Sequence, residues 1–199
     1  ITVGNVEDDP LFSVTSSNPY SLNFDGSGDY LDAGVPLLND LSTFTVSFWI
    51  NPDDAMTSAR QSLVGQNDTF EIFLEKNTSV PTLVFWNDTA GNVNIPLTGL
   101  SNGEWAHIGI RGDSVAGLVE VFVNGVFAAK GTHDSSATYD GYDANSAAKT
   151  MKVGSYVQDD TNANYFAGSL DEISIWNGAL SDSGMQSRTT QKMTGSKQV

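Results

Sequence analysis

The sequence predicts an all-β protein, an antiparallel two-sheet sandwich with almost no helix. Three observations predict it. The stretch Gly103–Ala129, GEWAHIGIRGDSVAGLVEVFVNGVFAA, holds two β-type runs, Ala106–Arg111 and Leu118–Val123, and a return run, Val126–Ala129. The last two runs are joined by Asn124-Gly125, the dipeptide best suited to a two-residue hairpin turn, because both central residues need φ > 0. Short β-type runs then recur along the whole chain between Asn/Asp/Gly/Pro turns, as in sandwiches, and no period of about 20–50 residues repeats as it would in a solenoid or propeller.

Residues 1–19 open with a β-type run, an acidic pair and Pro10, and read as a linker or edge strand. The domain proper is expected over 20–186, starting at Tyr20–Phe24, with a turn at Asp25–Gly28 and a strand from Asp29 to Gly34. FTVSFWI, Phe44–Ile50, is a near-continuous apolar strand stopped by Asn51-Pro52. Ser62–Val64 pairs with Phe70–Leu74 around Gly65–Thr69, and Thr82–Trp86 pairs with Asn92–Pro96 around Asn87–Gly91. In VEVFV, Val119, Val121 and Val123 share one face and Glu120 and Phe122 the other, so one face is core and the other at least partly wet. A long loop, Thr132–Lys149, precedes a strand at Met151–Val157, an acidic loop at Gln158–Asn164 and a last strand at Phe166–Trp176. Ala179–Gln186 suits a helical turn, and the polar tail over 187–199 is expected to fray.

Composition sets outer bounds. A chain of 199 residues fits one all-β domain. Lys and Arg number 9 against 24 Asp and Glu, a formal net charge of −15, which repels phosphate backbones and argues against nucleic acid as a partner. The acidic excess is spread through Asn/Asp/Gly loops, which suits divalent cations or high-salt surroundings. No cysteine is present, so disulfides and thiolate metal sites are excluded. No apolar run is long enough to span a bilayer as a helix, and membrane insertion is not expected. The chain begins at Ile1 rather than Met, which reads as excision from a longer parent with other domains.

SLNFDGSGDYLDAG, FTVSFWINP, GEWAHIGI, VEVFVNGVFAA and FAGSLDEISIWNGALS occur in an order that resembles the laminin-G-like and pentraxin-like branch of the concanavalin A-like jelly rolls. The resemblance covers roughly residues 20–186. It implies a jelly roll of two curved antiparallel sheets and a protein that binds sugars, lipid head groups or proteins, often through calcium. Some relatives in the wider superfamily are glycosidases, so fold alone does not settle function.

The resemblance to pentraxins also implies a calcium site between two loops. The carry-over falls on Asn67 and Asp68, in the Gln66-Asn67-Asp68 run that leads into Phe70–Leu74, and on Gln158, Asp159 and Asp160, with Asn162 or Asn164 as further ligands. Carboxylates, amide carbonyls and backbone carbonyls can supply the six to eight oxygens that calcium takes. The chain departs from the family pattern: the Asn/Asp order is reversed, the second run is shifted and the family disulfide is missing. The alternative is that these residues only form turns. Several jelly-roll relatives hold a structural calcium with an Asp just before the final strand; here that is Asp171, with Asp25 and Gly26 as partners, although Asp171 could equally cap a turn or accept backbone N–H bonds.

Phe48, Trp49, Phe85 and Trp176 read as core. Trp86 borders the Asn87-Asp88 turn and could stack on a sugar ring, with core or rim packing as the alternative. Tyr139, Tyr142 and Tyr156 lie in or beside loops and are candidates for an exposed binding surface. An enzyme is not expected. Glu71 and Glu75 share a strand face but lie roughly 13 Å apart at a strand's rise per residue, beyond the separations of about 5–9.5 Å that glycosidases use. His107 reads as structural. Two functions remain. One is a calcium-dependent module of a secreted or cell-surface protein, most simply a bacterial adhesin, binding a glycan or a carboxylate-bearing ligand such as a peptide terminus through Asp68, Asp159, Asp160, Tyr142, Tyr156 and Trp86. The other is a carbohydrate-binding accessory domain of a polysaccharide-degrading enzyme.

Overall fold

The computed structural model describes residues 12–14, 21–37, 41–55, 59–66, 70–75, 78–87, 91–113, 115–132, 150–158, 161–190 and 196–198. Along the chain the strands are β1 (Phe12–Val14), β2 (Ser21–Asp25), β3 (Leu31–Asp32), β4 (Thr43–Pro52), β5 (Gln61–Gln66), β6 (Phe70–Leu74), β7 (Thr82–Asn87) and β8 (Gly91–Pro96). They continue as β9 (Ala106–Asp113), β10 (Leu118–Val123), β11 (Val126–Thr132), β12 (Lys152–Val153), β13 (Tyr156–Gln158), β14 (Thr161–Ala163) and β15 (Ala167–Trp176), then helix α1 (Asp182–Ser187) and β16 (Ser196–Gln198).

Two large sheets result, as the alternating runs predict. The eight-stranded sheet has the order β11-β10-β9-β4-β15-β2-β16, with β1 also paired to β15, and the six-stranded sheet has the order β3-β12-β5-β6-β7-β8. The central meander forms as expected, and its turn residues Asn124 and Gly125 adopt φ of 51° and 76°.

The core lies between the sheets and follows from period-two alternation. Phe44, Val46, Phe48 and Ile50 of β4 and Val119 and Val121 of β10 face Phe70, Ile72, Leu83, Phe85, Val93 and Ile95. Phe44 stacks on Phe70 and on Phe85 with ring centroids 5.5 Å apart in each case. Truncating a fully buried Phe of this kind to Ala costs about 3–5 kcal/mol.

Four sequence expectations need correction. Met151–Val157 is not one strand, because Gly154, at φ 80°, turns the chain back and separates β12 from β13. A Cβ at Gly154 would lie 2.4 Å from the Phe24 ring, so only glycine fits both the backbone and the space. The expected acidic loop after it is mostly a hairpin, β13–β14. The tail does not simply fray, since β16 pairs in parallel with β2. Finally, Trp49 and Trp176 are not in the core between the sheets. They lie on the outer face of the eight-stranded sheet, where Trp176 joins Phe122, Leu180 and Met185 in a second apolar cluster beneath α1. That cover explains why Phe122, on the nominally wet side of β10, is only 2% exposed.

Candidate ligand-binding face

Because Phe70, Ile72 and Leu74 point into the core, Glu71 and Phe73 of β6 must point away from it. Cross-strand registers then place Asp32, Lys152, Gly65, Glu71, Trp86 and Asn92 in one row across the outer face of the six-stranded sheet. The next row is Ser62, Phe73, Val84 and Asn94.

Glu71 is fully buried on this face. Its carboxylate accepts hydrogen bonds from the Ser62 hydroxyl and from Arg60 Nη2. The Arg60 guanidinium lies 3.7 Å from the Phe73 ring centroid and keeps a third of its side chain exposed. A buried carboxylate beside a stacked guanidinium fixes the cation in one plane, which a solvated surface arginine never achieves. Burial lowers the Arg60 pKa, yet an arginine remains charged. On the far side of the row, Lys152 Nζ lies 2.9 Å from Asp32 Oδ2 and 4.2 Å from the Tyr30 ring centroid. Burial pushes the Asp32 carboxyl up, but hydrogen bonds from Thr150, Lys152 and Gly34 outweigh it and leave the pKa lowered.

Trp86 is half-buried between Glu71 and the exposed Asn92. It is therefore an outer-face residue and not core. Tyr156 differs from expectation. It is 7% exposed, because the turn at Gly154 folds β13 back onto the sheet. A Cβ on Gly65 would sit 3.0 Å from its ring, so the ring lies on the β5 backbone.

Asn67, Asp68, Tyr139, Tyr142, Asp159 and Asp160 lie outside the described residues. Gln158 and Asn162 are placed by their backbones in β13 and β14. The hairpin starts beside Leu63, where Gly154 N–H donates to the Leu63 carbonyl, and returns beside Ser62, whose N–H donates to the Asn164 carbonyl. Between these points Tyr156 reaches Gly65, so the hairpin runs toward the Gln66 end of β5, where the 67–69 segment begins. Among the described residues no three His, Asp or Glu side chains gather to hold a metal.

Asp25 and Asp171 are not brought together. Asp25 pairs with Ala167, which leaves Asp171 four residues further along β15, about 13 Å at a strand's rise. Nor does Asp171 stand ahead of the Phe166–Trp176 run; it lies inside β15. Asp25 Oδ1 instead accepts from Ser27 N–H at 2.7 Å, and Asp171 Oδ1 accepts from Glu172 N–H at 2.6 Å. Burial raises the pKa of both Asp171 and Glu172, and the Asp171 charge raises that of Glu172 further.

On the opposite side of the molecule, His107 is 1% exposed and its ring meets Trp49 edge-on at 5.4 Å. Burial, reinforced by the Arg188 charge, lowers its pKa to about 4. It is a packing residue beneath α1.

Reasoning from sequence missed Arg60, Asn92, Asn94 and Lys152. Glu71 carried a usable signal, since a carboxylate inside the apolar run FEIFL needs a buried partner. Nothing local pointed to Arg60 as that partner.

With this geometry in place, comparison with known proteins decides the family. The laminin G-type family profile described as the concanavalin A-like lectin/glucanases superfamily matches residues 25–184. The chain belongs to that family. No curated protein sequence matches it. Among solved structures, this laminin G-type domain is similar to the heptameric SAP-like pentraxin of Limulus polyphemus, at 18% identity and TM-score 0.66, covering 82% of this chain and 78% of that one. It is also similar to the CBM40 of Ruminococcus gnavus IT-sialidase, solved with α2,3-sialyllactose, at 13% identity and TM-score 0.68, covering 91% and 99%. A third is the NanB sialidase of Streptococcus pneumoniae, at 20% identity and TM-score 0.69, where the match covers 93% of this chain but 28% of that one. At these identities the likeness is one of fold.

Proposed function

We propose that this laminin G-type domain is a non-catalytic glycan-binding module that takes its ligand on the outer face of the six-stranded sheet. The observation that carries this reading is the row built around Trp86. An aromatic ring that the core does not need stands half-exposed beside the exposed amides of Asn92 and Asn94. Its cross-strand partner Glu71, together with Phe73, holds the Arg60 guanidinium. Apolar ring faces flanked by fixed hydrogen-bonding groups suit a sugar, which has an apolar face and a polar edge. The Ruminococcus CBM40, solved with a sialylated sugar, supports the same class of ligand.

The reading includes calcium at the neighbouring rim, held by Asn67, Asp68, Gln158, Asp159 and Asp160 with Asn162. Support comes from the oxygen-rich donor set and from the course of the β13–β14 hairpin toward the β5 end. A bound calcium would give an otherwise acidic rim a positive centre for a ligand hydroxyl pair or carboxylate. Such a module fits a longer secreted or cell-surface protein, either an adhesin or a polysaccharide-degrading enzyme with its catalytic domain elsewhere.

The test is a glycan array with and without EDTA, followed by calorimetry on the best glycan with wild type and Trp86→Ala. Loss of Trp86 should weaken binding at least about tenfold, equivalent to about 1.4 kcal/mol. Unchanged affinity in a folded Trp86→Ala protein moves the site off this face. An Asp159→Ala/Asp160→Ala protein that keeps full affinity and calcium response removes the calcium part alone.

A further inference from the structure

The face is not equally open on its two sides. At Gly154 the chain reverses, and the β13–β14 hairpin is fastened over β5 by the Gly154–Leu63 and Ser62–Asn164 backbone hydrogen bonds, of 3.0 and 2.7 Å. Phe166 N–H donates to the Gly154 carbonyl at 2.9 Å and closes the base of the hairpin. Tyr156 fills the place in the row that Gly65 leaves vacant between Lys152 and Glu71. Lys152, Asp32 and Tyr30 are thereby cut off from Glu71, Trp86 and Asn92. On the other side β8 is the last strand of its sheet, and its outward residues Asn92 and Asn94 are exposed.

We infer that the face accepts the end of a glycan chain and not a stretch from its interior. This rests on the glycan reading above and adds a direction to it. With the β5 place taken by Tyr156 and with Glu71, Phe73 and Val84 buried, the open floor is Arg60, Trp86, Asn92 and Asn94 over β6 to β8, two strand spacings or about 10 Å, room for roughly two sugar rings. A chain laid across the strands meets Tyr156 and the hairpin at β5 and can leave only over β8. Its terminal sugar therefore sits at the closed side, against Arg60 and the Tyr156 edge, with the following sugar at Trp86 and Asn92. Arg60 suits that position because Glu71 and Phe73 hold it still before the ligand arrives.

The test counts protein against chain length. The probes are laminari-, malto-, xylo- and manno-oligosaccharides of two to eight residues with their linear polymers, and 3′-sialyllactose with polysialic acid. For the series that binds, affinity should level off by about three residues. Sedimentation should find one protein per polymer chain whatever its length. Bound protein that rises in proportion to polymer length overturns the chain-end inference and leaves the glycan reading standing. Failure to bind any of these series, or any array glycan, overturns both. Tyr156→Ala is the second arm: opening the closed side should let several molecules bind one polymer chain. If that variant does not fold, the wild-type length series decides alone. A folded Tyr156→Ala protein that still binds once per chain overturns the assignment of Tyr156 as the wall.

Discussion

Acid should loosen the α1 side of the sandwich through one residue, His107. In the folded protein its ring is buried against Trp49, with the Arg188 charge nearby, and its pKa falls from 6.5 to about 4. Protonation is therefore easier in the unfolded chain than in the folded one. A cationic group depressed on folding supports stability above its unfolded pKa and loses that support as pH drops toward the folded value. With 6.5 unfolded and about 4 folded, the loss relative to neutral pH is about 2 kcal/mol at pH 5 and about 3 kcal/mol at pH 4. Asp171 and Glu172 act in the opposite sense, because their raised pKa values mean that acid relieves buried charge. The wild-type profile alone is thus a sum, and a His107→Phe variant is needed to separate it. Nδ1 of His107 has no hydrogen-bond partner among the described residues, so an apolar ring of similar size should be tolerated. Urea unfolding followed by tryptophan fluorescence, at steps from pH 7 to 4, should show the stability difference between the two proteins shift by about 2–3 kcal/mol in favour of the variant. A difference that stays constant within about 0.5 kcal/mol would mean that His107 is not shielded as the structure has it.

Other outcomes follow from single contacts. Arg60→Ala strands the buried Glu71 carboxylate and should cost on the order of 3 kcal/mol in chemical denaturation, whereas Arg60→Met with Glu71→Leu should recover most of that loss; equal losses in both proteins would refute the coupling. Gly154→Ala brings a Cβ to 2.4 Å from Phe24 at a φ of 80°, and the melting temperature should fall by many degrees; a wild-type melt would show that the β12–β13 reversal is not needed. Calcium at a hundredfold excess over its Kd should add about 2.7 kcal/mol of stability, read as a melting temperature that drops on adding EDTA; an unchanged melt with no calorimetric signal for calcium removes the ion from the proposed function.

Much of the fold was legible in the sequence because the signals are local. Alternation in VEVFV reads off which residues share a face, and Asn124-Gly125 names its own turn, since few other pairs accept φ of 51° and 76°. The site was less legible. FEIFL shows that Glu71 and Phe73 lie together, yet nothing within the strand says that Arg60 closes over both. That contact exists because β5 and β6 pair with Ser62 opposite Phe73 and Gly65 opposite Glu71, across a register shift. Tyr156 looked exposed because its neighbours are loop residues; it is buried because Gly154 reverses the chain onto β5.

The sandwich class and the central meander follow from local signals in the sequence. Which aromatic residues are core and which are surface depends on how the sheets and their covering segments pack. That packing placed Trp176 under α1 and Trp86 on the opposite outer face, and it separated Asp25 from Asp171. The physical reason is that period-two alternation assigns residues to two faces without saying what covers each face. Cover comes from strand order and from segments that return over the sheet, here α1 on one side and the β13–β14 hairpin on the other.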